Sequence, residues 1–211
     1  MRSFALLGIC AAAIAVVLAA PAGAASGGGC QLQGSASFNP GLGSTSKPFT
    51  YSFSGNLTGC QSNVAGAPTS GTVEAGKTVS RTYTDPTTGA THTVTYQEPT
   101  STGTGGCASS TTSGTGIVTW SDGTVSVLGY STTGAAAAVN LSGTVQPSIT
   151  LTATNAQPGD PTTITIATTR YGGYTSQGAL AFQPPDPTAC NAPAGVTTAG
   201  ISGVVTLGSG S

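Results

Sequence analysis

The sequence predicts an all-β fold: an antiparallel β-sandwich of the Ig-like, Greek-key type, stapled by disulfides. Three observations predict it. Helical periodicity is nearly absent, because the best helical stretch, Ala135 to Ala138, runs straight into Val139-Asn140-Leu141. Elsewhere Thr, Val, Ile and Tyr alternate with Ser, Thr and Gly, the residue types and the period of two that suit a pleated, half-buried surface. Gly and Pro, 32 and 13 in 211 residues, punctuate these runs together with Asn and Asp. A sheet with one apolar face has to bury it, and with no helix to cover it a second sheet is expected.

Residues 1–24 come first and read as a secretory signal. Arg2 supplies the positive start, Phe4 to Ala20 the apolar run, and Ala22-Gly23-Ala24 the small-x-small site at which cleavage is expected. Residues 25–211 are then one mature domain, soluble and secreted, with no later apolar run long enough to span a membrane.

Strands are expected near 31–38, 49–58, 70–74, 77–84, 90–97, 115–120, 124–130, 138–145, 148–154, 162–168 and 199–207. Leu32, Ala36 and Phe38 face inward in the first. Tyr51, Phe53 and Leu57 do so in the second, with Gly55 interrupting. A hairpin around Asp85 to Gly89 puts Arg81 opposite His92, so Val79, Arg81, Tyr83, His92, Val94 and Tyr96 share one face. Ser101 to Gly116, rich in Gly, Ser and Thr, reads as a linker and as the place for a split into two subdomains. Asp122-Gly123 reads as a two-residue turn pairing Trp120 with Val125 and Val118 with Val127, all on one face. The later strands carry Val139, Leu141 and Val145, then Ile149 and Leu151, Ile164 and Ile166, and finally Ile201, Val205 and Leu207.

Once Cys10 leaves with the signal, Cys30, Cys60, Cys107 and Cys190 remain. An even number in an exported chain reads as disulfides, with Cys30–Cys60 and Cys107–Cys190 favoured because Cys30 and Cys60 each abut a β-rich segment. In the chain-entropy model, closing loops of about 30 and about 83 residues contributes at most roughly 3.6 and 4.6 kcal/mol. A metal site is not expected: there is no CxxC pair and His92 is the single imidazole.

Charge excludes several functions. Only 5% of residues are charged, and without Arg2 four cations face six carboxylates. That balance cannot neutralise a phosphate backbone or dock on anionic lipid.

SFNPGLG at 37–43, SGNLTGC at 54–60, GTGIVTWSDGTVS at 114–126 and LSGTVQPS at 141–148 follow a signal ending in Ala-x-Ala. With Cys190 and a closing Gly-rich strand, the chain resembles small exported actinobacterial proteins of unknown function, Cys-containing and rich in Ser, Thr and Gly. The resemblance implies export, disulfides and a sandwich, and it implies no catalytic residues.

Few residues are candidates for chemistry. Arg81, Tyr83, His92 and Tyr96 form the one polar-aromatic cluster that register predicts, able to bind an anion or shuttle a proton. Tyr171 and Tyr174, in Arg170-Tyr171-Gly172-Gly173-Tyr174, could stack on a sugar. Asp85, Asp122, Asp160 and Asp186 sit in turn signatures, which leaves Glu74 and Glu98 as the carboxylates that turn formation does not explain. No G-x-S-x-G elbow precedes a helix, and no phosphate-binding fingerprint occurs. The expectation is a secreted, non-catalytic binding or cell-surface interaction module without a cofactor, its extracellular ligand a glycan or a protein. The alternatives are a carbohydrate-active or other hydrolase using Arg81 and His92 or a carboxylate pair, and an inhibitor or effector.

Overall fold

The computed structural model describes residues 27–85 and 88–209. The expected signal peptide and its cleavage site lie outside these residues. The described chain is all-β, and its strands are β1 (Gly27–Leu42), β2 (Lys47–Ser62), β3 (Gly71–Ala75), β4 (Thr78–Thr84), β5 (Thr91–Gln97), β6 (Ser101–Gly105), β7 (Ser109–Trp120), β8 (Val125–Ala135), β9 (Ala138–Gln146), β10 (Ser148–Ala153), β11 (Thr163–Ala167), β12 (Thr175–Gln183) and β13 (Val196–Gly208). A single 3₁₀ turn, Ala189–Asn191, is the one helical element among them.

The expected sandwich is replaced by a barrel. Strands β1, β13, β12, β9, β8 and β7 follow one another antiparallel around the wall, and β2 closes the ring by pairing with β1 from Gly28–Ser62 to Asn39–Thr50. Two short strands share the eighth position. β3 pairs with Phe53–Leu57 of β2 and Gly116–Trp120 of β7, whereas β6 pairs with Lys47–Tyr51 and Ser110–Ser113 of the same two strands. Alternation of apolar and polar residues is the same for a barrel wall as for one layer of a sandwich, so the sequence pattern does not separate them. Closure comes from the β1–β2 pairing, which removes both sheet edges.

The chain leaves the wall between β3 and β6 and again between β9 and β12. The excursions supply β4–β5 and β10–β11, which join into a second, four-stranded sheet in the order β11-β10-β5-β4. Its inner face, with Val94, Tyr96 and Leu151 fully buried, packs on Ile117 and Val125 of the barrel's outer surface. Elsewhere the outer face is polar: Gln31, Gln33, Ser35 and Ser37 of β1 and Asn140, Ser142 and Thr144 of β9 are exposed. That arrangement is the reverse of a lipid-facing barrel, whose outer band is apolar. No helix among the described residues is long and apolar enough to cross a membrane.

Three local expectations are corrected. Residues 101–116 are not a linker but β6 and the first half of β7, paired across Thr102–Ser113 and Thr104–Thr111. The Asp122-Gly123 connection has three residues, because the Trp120 amide donates to the Thr124 carbonyl. Asp122 Oδ1 accepts from the amide and hydroxyl of Thr124, and Gly123 alone takes positive φ, at 80°. The pairs become Val118–Ser126 and Ile117–Val127, so Trp120 and Val118 face the lumen while Val125 and Val127 face outward. In the β4–β5 hairpin Tyr83, not Arg81, lies opposite His92, and Arg81 lies opposite Val94. That shift is two residues, so the face the six residues share is unchanged.

The disulfides are Cys30–Cys60 and Cys107–Cys190, with Cα separations of 4.1 and 6.0 Å. The first ties neighbouring strands β1 and β2. The second ties the loop before β7 to the 3₁₀ turn before β13.

Candidate functional site

The barrel lumen is the site the fold builds. Inward residues alternate along each strand, and their sizes leave a cavity of about 140 Å³. Leu32, Phe53, Leu128, Leu141, Leu180 and Val205 give it an apolar lining, and none of its lining residues is charged. Glycines on β1 and β2 shape the lumen: a Cβ on Gly34 would lie 2.5 Å from Phe53 Cζ, so the Phe53 ring lies across the Gly34–Gly55 pair.

A row of hydroxyls crosses one side of the cavity. Tyr51 and Tyr130 share a hydrogen bond of 2.7 Å, Tyr51 donates to Thr112 Oγ1 at 3.2 Å, and Thr112 and Thr132 are 2.7 Å apart. Burial pushes both Tyr51 and Tyr130 above the ordinary phenol range, so both stay neutral. Thr112 and Thr132 are half-buried, as are Ser110, Phe38 and Phe182 around them, so the lumen approaches solvent at this end.

The opposite end is shut. Trp120 is buried there and donates through its indole N–H to Ser126 Oγ at 2.9 Å. The Tyr171 ring meets Trp120 edge-on at 5.4 Å, and Arg170 lies 5.2 Å over the Tyr171 ring. Arg170 pairs with Asp122 at 2.9 Å and donates to the Gly66 carbonyl at 2.6 Å, strapping the 168–174 segment across the barrel end. Tyr171 and Tyr174 are therefore packing residues at this end, with ring centroids 5.4 Å apart. Both remain half-buried.

The polar-aromatic cluster sits apart, on the inner face of the four-stranded sheet. His92 Nε2 lies 2.7 and 2.8 Å from the two oxygens of Asp160. The Gln157 amide and then this imidazole hold the Asp160 carboxyl below its usual range. Tyr96 donates to the Pro161 carbonyl at 2.9 Å and its hydroxyl lies 2.9 Å from that of Tyr83, and burial pushes it up to about 12. Arg81 is exposed and forms no ion pair among the described residues. The structure brings Tyr83, His92 and Tyr96 together, adds Asp160, and leaves Arg81 at the margin. The cluster ties the two excursions to each other: His92 and Tyr96 come from one, Asp160 and Pro161 from the other.

Sequence reasoning missed the lumen hydroxyls. Tyr51 is legible as an inward residue, but Tyr130, Thr112 and Thr132 converge on it only when β2, β7 and β8 stand around one cavity. Glu98 is the other unexpected group. Only 1% of it is exposed, its Oε2 accepts from the Lys77 amide at 3.1 Å, and its Oε1 has no hydrogen-bond partner among the described residues. Burial is the main cause that pushes its carboxyl above the ordinary range. Comparison with protein-family models, curated proteins and solved structures returned no match for this chain.

Proposed function

We propose that this is a secreted, non-catalytic binding protein whose barrel carries one small, uncharged, mainly apolar molecule. The observation that carries the reading is the lumen itself: an apolar cavity of about 140 Å³ crossed by neutral hydroxyls and lined by no charge. Barrels of eight strands are wide enough to hold one small ligand, and a cavity of about 150 Å³ lined by Leu, Ile and Phe takes up a benzene-sized molecule. The hydroxyl row gives such a ligand one place for a carbonyl, ether or hydroxyl oxygen. A carboxylate or ammonium would enter without a counter-charge, which is costly in an apolar site. Export is supported by the signal-like first 24 residues, by the disulfides, and by the resemblance to exported actinobacterial proteins.

Titration with acetophenone, toluene, benzoate and benzylamine, read at the lumen amides of Leu141 and Leu180, tests this. Acetophenone and toluene are expected to bind, acetophenone more tightly, and the charged pair not to bind in the lumen. Ala36 is buried and lines the cavity. Ala36→Leu fills that space and is expected to abolish binding while the protein stays folded. Equal binding of all four probes, or full binding by the folded Ala36→Leu protein, overturns the proposal.

A further inference from the structure

A second cavity lies outside the barrel, between the free edge of the four-stranded sheet and the barrel wall. It measures about 310 Å³. Its apolar part comes from Val79 of β4, Ile117 of β7 and Ile166 of β11, and its acidic part from Glu74 and Glu98. Glu98 stands where the chain returns from β5 to the wall, and its shielded Oε1 has no hydrogen-bond partner among the described residues, although the Gly76 amide and the Lys77 charge nearby favour its ionised form. Lys77 lends it a backbone amide, yet the Lys77 ammonium forms no ion pair with it among the described residues. A buried carboxylate oxygen without a partner is costly, and its natural complement is a hydrogen-bonded cation.

From this geometry we propose a second binding site, distinct from the lumen, that takes a primary ammonium group on a short apolar chain. The ammonium settles beside Glu74, and the buried Glu98 side chain turns its orphaned oxygen toward the groove to accept from it. The chain lies along Val79, Ile117 and Ile166. Neighbouring Glu74 disfavours the charged form of Glu98, and a cation between the two relieves that repulsion. Arg81 lines the same groove, so a ligand of one positive end and one apolar body has to leave Arg81 in solvent, where its exposed side chain already is.

Hexylamine and its neutral counterpart hexanol are suitable probes, read by amide ¹H–¹⁵N shifts in the full mature protein. Hexylamine is expected to move the Lys77, Val79 and Thr119 amides, whereas hexanol is expected to leave them unchanged at equal concentration. The amides of Leu141 and Leu180 report lumen occupancy separately, so a failure of either site is seen independently of the other. Glu98→Gln keeps the shape and removes the charge, and it is expected to weaken hexylamine at this site by roughly thirtyfold or more. Glu74→Gln, at an exposed position, is expected to weaken it by no more than about fivefold. Equal shifts with hexanol, no groove shifts with hexylamine, or undiminished affinity in folded Glu98→Gln would each overturn the proposal. The amine–alcohol comparison on the unaltered protein decides the matter even if Glu98→Gln does not fold.

Discussion

Two single residues show how tightly the lumen is drawn. Gly55 breaks an otherwise regular inward set, and the sequence shows the gap without its reason: the Phe53 ring occupies the space that side chains at Gly34 and Gly55 would need. Gly34→Ala is therefore expected to destabilise the protein by about 1–3 kcal/mol through overpacking, measured by urea unfolding. The Ser54 carbonyl would lie equally close to that methyl, so a cost near zero would mean that both the Phe53 ring and the neighbouring backbone give way. Glu98 gives a prediction in pH. Its folded carboxyl is raised, so the native state holds the proton more tightly than the unfolded chain does. Its contribution to stability is fully present below the ordinary carboxylate range and is lost as pH rises through the raised folded value. Glu98→Gln removes that loss. Calorimetric melting of both proteins from acidic to neutral pH should show the variant gaining on the parent as pH rises, and parallel profiles would contradict the assignment. The sequence singled out Glu98 as a carboxylate that no turn explains, but burial and the orphaned oxygen arise only from the meeting of β5, β6 and the wall.

At the level of elements, strands with apolar alternation were legible and strands built of hydroxyls were not. Ser109 to Gly116 alternates residues that are all small and polar, so its inward and outward positions look alike, and only pairing with β6 and β8 reveals a strand. Strand β12 carries Leu180 and Phe182 in register but is diluted by Gly178 and Ser176, and it too went unread. Turn chemistry identified both hairpins and missed both registers: Asp122-Gly123 serves a three-residue loop as well as a two-residue one, and the β4–β5 turn closes on Asp85 and Ala90 instead of on Thr84 and Gly89. The 168–174 strap is held by an element-level device. Arg170 reaches Asp122 and the Gly66 carbonyl from a half-buried position. Arg170→Ala is expected to speed hydrogen exchange at the Gly173 amide, which donates to Val145, and at the Tyr174 amide, which donates to Tyr171. The expected loss of stability is about 1–3 kcal/mol, as for hydrogen bonds to a charged group. Asp122→Asn should cost less than about 1 kcal/mol, since that pair is partly solvated. Equal exchange in the parent and Arg170→Ala would show that the tyrosine packing alone holds the strap.

On the scale of the whole molecule, closure was the feature hidden from the sequence. Nothing in the period-two pattern says that β1 pairs with β2 on one side and with β13 on the other, or that β3 and β6 divide one wall position. Apart from β1–β2, which are joined by a short connection, these are contacts between segments far apart in the chain, paid for in loop entropy. The disulfides bear on the same entropy. Cys107–Cys190 spans 83 residues, a loop containing β7 through β12, whereas Cys30–Cys60 spans 30 and joins strands already paired. In the chain-entropy model both act by restricting the unfolded chain, the longer loop more. Replacing Cys107 and Cys190 with Ser should therefore cost up to about 4.6 kcal/mol, and replacing Cys30 and Cys60 up to about 3.6. A less restricted unfolded chain exposes more surface, so each double variant should also show a steeper dependence of stability on urea. If the bridges instead hold native geometry, the slopes stay equal, and amide shifts of the folded variants spread beyond the replaced positions. Urea titrations of the two double variants beside the parent, with their folded-state spectra, separate the two accounts.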